Sequence, residues 1–158
     1  MFKSVTIIAK RAGALAMLFG KKTRRIVRLL LVEDEPLIAF DTEHFLSEAD
    51  FTIVATVDRV ADALPIIEGD EVIHLLLVDV TLADGSGVDV ARAAHARGVP
   101  VLFVTGNFPE EAVAWASGCL AKPYAQRSLL ASIDAIEATL AGKPPKRLPP
   151  GFQLFERV

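Results

Sequence analysis

Four short apolar runs in this 158-residue chain each stop at a residue able to take part in chemistry. Arg28–Val32 stops at Glu33, Asp34 and Glu35, Ile73–Val78 at Asp79, Val101–Val104 at Thr105, and Cys119–Ala121 at Lys122 and Pro123. If those ends meet, Glu33, Asp34 and Asp79 share one small pocket, where three carboxylates repel each other unless a cation sits between them. Hard carboxylate oxygens suit Mg2+, which keeps several waters and favours phosphate oxygens as further partners. With the charge of an incoming group neutralised, Asp79 is placed to act as a nucleophile toward phosphorus. Thr105 can offer its hydroxyl, and Lys122 a point charge, to phosphoryl oxygens. Each residue alone has a plainer role: Asp79 a helix cap, Glu33–Glu35 neighbours of a helix dipole, Thr105 a turn residue, Lys122 a solvated cation. Four run ends carrying suitable chemistry at once favour the shared site.

Such a site needs a scaffold that brings the four ends together. The runs are short and apolar, as strands buried on both faces of a parallel sheet must be. A fifth run, Thr52–Val57, is rich in β-branched residues. Helical stretches lie between them. One starts at Pro36, with Leu37, Phe40, Phe45 and Leu46 read as one face; a second, Val60–Ile67, is interrupted by Pro65. A third, Val88–Ala96, stops at Gly98. The fourth, Phe108–Ala116, has Asn107 as its N-cap, Glu110 three residues on and Gly118 beyond its end. The fifth, about 126–140, carries Leu129, Ile133, Ile136 and Leu140 as one stripe. Five strands alternating with five helices predict an α/β fold, a (βα)5 doubly wound parallel five-stranded sheet. Right-handed crossovers then bring every strand's C-terminal end to the same edge, above the point where strand order reverses.

Composition narrows the class further. A hydrophobic fraction of 52% excludes disorder over most of the chain, and a single cysteine, Cys119, excludes a disulfide scaffold. No run of eighteen apolar residues is present to span a bilayer. The formal net charge of −3 gives no reason to expect nucleic acid as a partner. That average hides an asymmetry: residues 1–32 hold eight basic groups and no acid, leaving nine basic against twenty acidic groups in the remainder.

The motifs Leu-Val-Glu33-Asp34-Glu35-Pro36, Leu-Val-Asp79, Val-Thr105-Gly106 and Ala-Lys122-Pro123-Tyr124 resemble the signature of CheY-like response-regulator receiver domains, the phosphoacceptors of bacterial two-component signalling. The resemblance spans roughly residues 26–141 and implies a flavodoxin-like strand order of 2-1-3-4-5. It implies that Asp79 is the phosphorylated aspartate. Asp34, Asp79 and the backbone carbonyl of Thr81 would ligate Mg2+, with Glu33 acting mainly through metal-bound water. Gly87 would be the glycine after the phosphorylation loop, and the Lys122–Pro123 bond would be cis. Three departures stand out. Cys119 occupies the position, three before the lysine, where the family commonly carries Tyr or Phe. Thr105 and Lys122 are only seventeen positions apart, so the fourth helix must be shortened. The stretch Pro100–Asn107 resembles a subgroup of stand-alone receivers with a Phe-Ala-Thr-Gly-Tyr motif, but Val104 and Asn107 replace its Ala and Tyr. The loop Leu82–Gly87 also resembles receivers of bacterial general stress-response regulators.

These readings divide the chain into a basic arm (1–25), a receiver domain (26–141) and a Pro-rich, poorly structured tail (142–158). With no output domain expected after the last helix, a cytoplasmic protein would take its phosphoryl group from a histidine kinase or phosphotransfer protein and signal by protein contact or onward transfer. The arm could touch an anionic membrane weakly or be an extended start preceding Met17. A rival reading is a phosphatase or phosphotransferase like the haloacid dehalogenases, but their second aspartate, the general acid, is here Thr81. A flavodoxin-like cofactor site lacks its glycine loop. Because Cys119 is too small for an aromatic rotamer switch, a signal is expected to travel through residues 106–117.

Overall fold

The computed structural model describes residues 23–155, so the expected basic arm lies outside the described residues apart from its last three. Five strands, β1 (Arg28–Val32), β2 (Thr52–Val57), β3 (Leu75–Val78), β6 (Val101–Thr105) and β7 (Gly118–Ala121), are mutually parallel. They stand in the order β2-β1-β3-β6-β7, the expected 2-1-3-4-5. A two-strand hairpin, β4 (Thr81–Leu82) with β5 (Gly85–Ser86), follows β3 outside this sheet.

Alternation along the strands builds two cores. Leu30, Val32, Leu76, Val78, Val101 and Phe103 face α2 (Val60–Glu68) and α3 (Gly87–Ala96). Leu29, Leu31, Leu75, Leu77, Leu102 and Val104 face α1 (Pro36–Glu48) and α4 (Gln126–Leu140). Strands apolar on both faces require helices on both faces, which fixes the doubly wound arrangement. Leu129, Ile133 and Ile136 of α4 are buried as the stripe predicts, whereas Leu140 at its last turn is exposed.

Three expectations need correction. Leu37 and Phe40 do not join the core: they are 80% and 67% exposed, while Ala39 and Leu46 of the same helix are buried. Nine positions separate Leu37 from Leu46, about 180° around a helix, so the two residues lie on opposite faces. The fourth helix is a six-residue 3-10 segment, Glu110–Trp115, with Pro109 rather than Asn107 at its N-cap. Pro109 disfavours helical geometry at Phe108 and has no N–H for a cap to satisfy. Finally, the tail is not structureless. β8 (Phe152–Leu154) pairs antiparallel with β7 and becomes a sixth strand at the sheet's edge.

The arm's end is tied to α4. The backbone N–H groups of Arg25 and Ile26 both donate to a Glu137 carboxylate oxygen at 2.6 Å, and Arg24 pairs with Asp134 at 3.1 Å. Among the described residues no helix is long and apolar enough to cross a membrane.

Candidate functional site

The sheet's parallel strands deliver their C-terminal ends to one edge, and backbone hydrogen bonds fix the residues that follow. Glu33 donates its N–H to Val57 at 2.9 Å, Asp79 to Val32 at 3.0 Å and Lys122 to Thr105 at 3.0 Å. Each polar residue after a strand is thereby locked to the neighbouring strand. Gly87 closes the loop after Asp79, donating to the Val80 carbonyl at 2.6 Å. A Cβ on Gly87 would lie 1.8 Å from the Asp79 carbonyl oxygen, so only glycine allows this approach.

Four carboxylates converge here. Single oxygens from Glu33, Asp34, Glu35 and Asp79 all lie within 4.8 Å of one another. Lys122 reaches into the cluster, donating to Asp79 Oδ2 at 2.8 Å and to Glu33, with Glu35 Oε1 at 3.7 Å. The side chains of Lys122, Glu33 and Asp79 are only 14, 11 and 10% exposed. The Lys122–Pro123 peptide bond is cis.

Burial and pairing compete in this cluster. Burial pushes the Glu33 pKa up, and the Asp79 charge adds to that; Lys122 opposes both without cancelling them. Burial works against the charge on Lys122, but the hydrogen bonds it donates to Asp79 and Glu33, with their negative charges, outweigh it, so its pKa rises above the ordinary lysine value. One cation therefore faces several carboxylates, and a net negative pocket remains. Clustered hard oxygens of this kind fit Mg2+. Asp34 stands in the cluster, while of Thr81 the contact seen is its N–H donating to Asp79 Oδ1 at 3.4 Å.

Thr105 ends β6 at this edge, but its hydroxyl is engaged away from the cluster. Oγ1 accepts from the Asn107 N–H at 3.3 Å and donates to the Asn107 carbonyl at 3.4 Å. Asn107, expected as a helix cap, instead closes this small turn.

Three further residues escaped the sequence reading. Glu35 joins the acidic cluster; its adjacency to Glu33 and Asp34 was the available signal, but it read as a helix-dipole partner. Tyr124 lines a cavity of about 20 Å3 beside Glu33 and Asp79, together with Ala39, Thr42 and Val104, and its hydroxyl lies 3.4 Å from that of Thr42. Asp84, in the hairpin after Asp79, accepts from the Val60 and Ala61 N–H groups at 2.6 and 3.0 Å and so caps α2 from outside. Those bonds, that from Ala61 foremost, hold its pKa below the usual aspartate value.

Residues 29–134 match the family described as the response regulator receiver domain. The chain is 31% identical over 116 residues to the phyllosphere-induced regulator PhyR of Methylorubrum extorquens, covering 67% of this chain and 42% of that protein. It thus spans less than half the length of that relative. A CheY-like receiver domain protein from Methanospirillum hungatei superimposes with a TM-score of 0.66 at 25% identity, over 74% of this chain and 98% of that one. A receiver protein from Sinorhizobium medicae gives 0.62 at 22% identity, over 71% and 94%. The matched stretch contains Glu33, Asp34, Glu35, Asp79 and Lys122 together with the elements that hold them, and this chain belongs to the receiver-domain family of two-component response regulators.

Proposed function

We propose that Asp79 is a Mg2+-dependent phosphoacceptor that takes its phosphoryl group from a histidine kinase or phosphotransfer protein. The observation that carries this reading is the 2.8 Å contact of Lys122 with a nearly buried Asp79 inside a cluster of carboxylates. In the transfer, an Asp79 carboxylate oxygen forms the new P–O bond while the donor's P–N bond breaks and its electron pair returns to the imidazole. Asp34, Asp79 and the Thr81 carbonyl would hold Mg2+, with Glu33 acting through metal-bound water; the ion supplies charge neutralisation at the phosphoryl oxygens. Lys122 stabilises charge on the transferring group, and the Thr105 hydroxyl turns from Asn107 to a phosphoryl oxygen afterwards.

The mouth of the pocket suits a protein donor. Leu37 and Phe40 stand exposed on the first turns of α1, directly after Glu35. Beside them a groove of about 500 Å3 runs between α1 and the Lys122–Gln126 segment, lined by Asp41, Phe45 and Tyr124 among others. An apolar ridge next to an acidic pocket fits the flank of an amphipathic helix that presents a phosphohistidine. The same reading places the chain in the cytoplasm, where kinase and phosphodonor meet it. It would signal by protein contact or onward transfer, with kinship to stand-alone and stress-response receivers as part of the proposal.

The test is phosphotransfer from purified histidine kinases to this protein, timed with Mg2+ present and with it chelated. One kinase should label the wild type far faster than the others, and Asp79→Asn should take no label. Labelling of Asp79→Asn at wild-type rate would overturn the assignment.

A further inference from the structure

The last described segment closes the sheet at the point that a signal from Thr105 would reach. β8 is held to β7 by register pairs Gly118–Leu154, Cys119–Gln153 and Leu120–Phe152. Flanking bonds run from the Ala121 N–H to Gly151 and from the Phe155 N–H to Ser117, both 2.9 Å. Phe152 is buried over Gly118, where a Cβ would come within 2.5 Å of its ring. Phe155 grips the opposite face. It stacks on Phe108 at 5.4 Å between centroids, and Phe108 meets Phe103 edge-on at 5.4 Å. Phe108 directly follows Asn107, the residue whose backbone the Thr105 hydroxyl now holds.

We propose that residues 149–155 form a strap over a strand-docking edge on β7, and that phosphorylation at Asp79 uncovers this edge for an extended segment of a partner protein. The proposal rests on the reading of Asp79 as the acceptor. When Thr105 turns toward a phosphoryl oxygen, it releases Asn107, and Phe108 shifts with it. Phe155 then loses its stacking partner, and one of the strap's two aromatic anchors is gone. The uncovered edge presents unpaired backbone groups and the Gly118 notch, which is a template for an antiparallel strand. The fitting ligand carries an aromatic residue for the notch and an apolar residue two positions later, as Phe152 and Leu154 do. A second copy's strap is a poor occupant. The cis strap is tethered to α4 by about ten residues, and a short tether keeps it near millimolar effective concentration, which an identical free segment does not reach. A different partner segment with a better fit does not face that handicap.

The experiment uses the full chain with Mg2+, with and without beryllofluoride as acyl-phosphate mimic. Hydrogen exchange is followed at the Ala121 and Phe155 amides, and a fluorescein-labelled peptide of residues 149–155, titrated into the millimolar range where it matches the tethered strap, serves as probe. Beryllofluoride should lower protection of both amides about tenfold and tighten peptide binding about tenfold, since apparent affinity follows the open fraction. Phe155→Ala should do the same without it. Acetyl phosphate modification at Asp79 with both amides unchanged would overturn the proposal. Exposed amides without peptide capture would overturn the docking edge, and a phosphorylation-dependent dimer dissolved by the peptide would overturn the choice of occupant. If Asp79 takes no phosphoryl group, the acceptor reading and phosphorylation control both fail, and peptide capture by Phe155→Ala still decides whether the edge docks a strand.

Discussion

The two sides of the sheet's carboxyl edge are held by different forces. On the β1–β3 side Lys122 ties Asp79 and Glu33 together where all three side chains are nearly buried. Displacing Lys122 leaves two poorly solvated carboxylates without their cation, so the arrangement resists movement. On the β6 side the Thr105 hydroxyl makes two long neutral bonds, 3.3 and 3.4 Å, to a single residue. Gly106 beyond it has open space around it, and one short 3-10 segment follows. Long neutral bonds of this kind contribute little net stability. Under the proposed function, acceptance and response would be separated along this edge, with the charged side holding Asp79 and the neutral side free to move.

The comparison breaks most visibly at Gly87. Gly87→Ala places a methyl against the Asp79 backbone, which cannot yield, and should cost about 3 kcal/mol in urea unfolding. Acetyl phosphate labelling should fall with it.

Lys122→Met tests the charge clamp itself. Its loss should be about 2 kcal/mol at neutral pH, below the roughly 3–5 kcal/mol of a fully buried pair because each partner keeps some exposure. Both signs with pH are fixed. Glu33 has a raised folded pKa, so its contribution is fully present below 4.5 and is lost as pH rises through the folded value. The penalty of Lys122→Met should therefore shrink in acid. Lys122 also has a raised folded pKa, so its contribution is present below 10.5 and is lost as pH climbs through the higher folded value. Wild type should lose that contribution in the alkaline range, and the variant, which lacks it, should lose less stability there. Urea midpoints against pH measure both.

Thr105→Ala should produce the smallest change in stability, within about 1 kcal/mol. It should still be phosphorylated at Asp79. Hydrogen exchange over residues 104–118, however, should no longer differ between the free and beryllofluoride-bound protein. A response of wild-type magnitude in that variant would mean the signal leaves the pocket by another route.

How much of this was legible in the sequence depends on the kind of order involved. The strand runs stood out because burial on both faces demands unbroken apolar stretches, and Asp79, Thr105 and Lys122 stood out because they end such runs. Helix faces were harder to read: Leu37 and Leu46 belong to one apolar helix yet point opposite ways, and only Leu46 is buried. Glu35 gave no separate signal, since an acid before a helix is ordinary. β8 was hidden because Pro144, Pro145, Pro149 and Pro150 read as a break, and three residues are too few for a periodic pattern. What specifies β8 is tertiary: a glycine notch at Gly118 and an aromatic partner at Phe108.

The most direct test of the acceptor assignment is intact-mass measurement after incubation with acetyl phosphate. Wild type and Asp79→Asn are compared with Mg2+ present and with Mg2+ chelated. The expected result is a gain of one phosphoryl group in wild type with Mg2+ alone, and none in the other three samples. A phosphoryl gain in Asp79→Asn, or an undiminished gain in wild type without Mg2+, would contradict it.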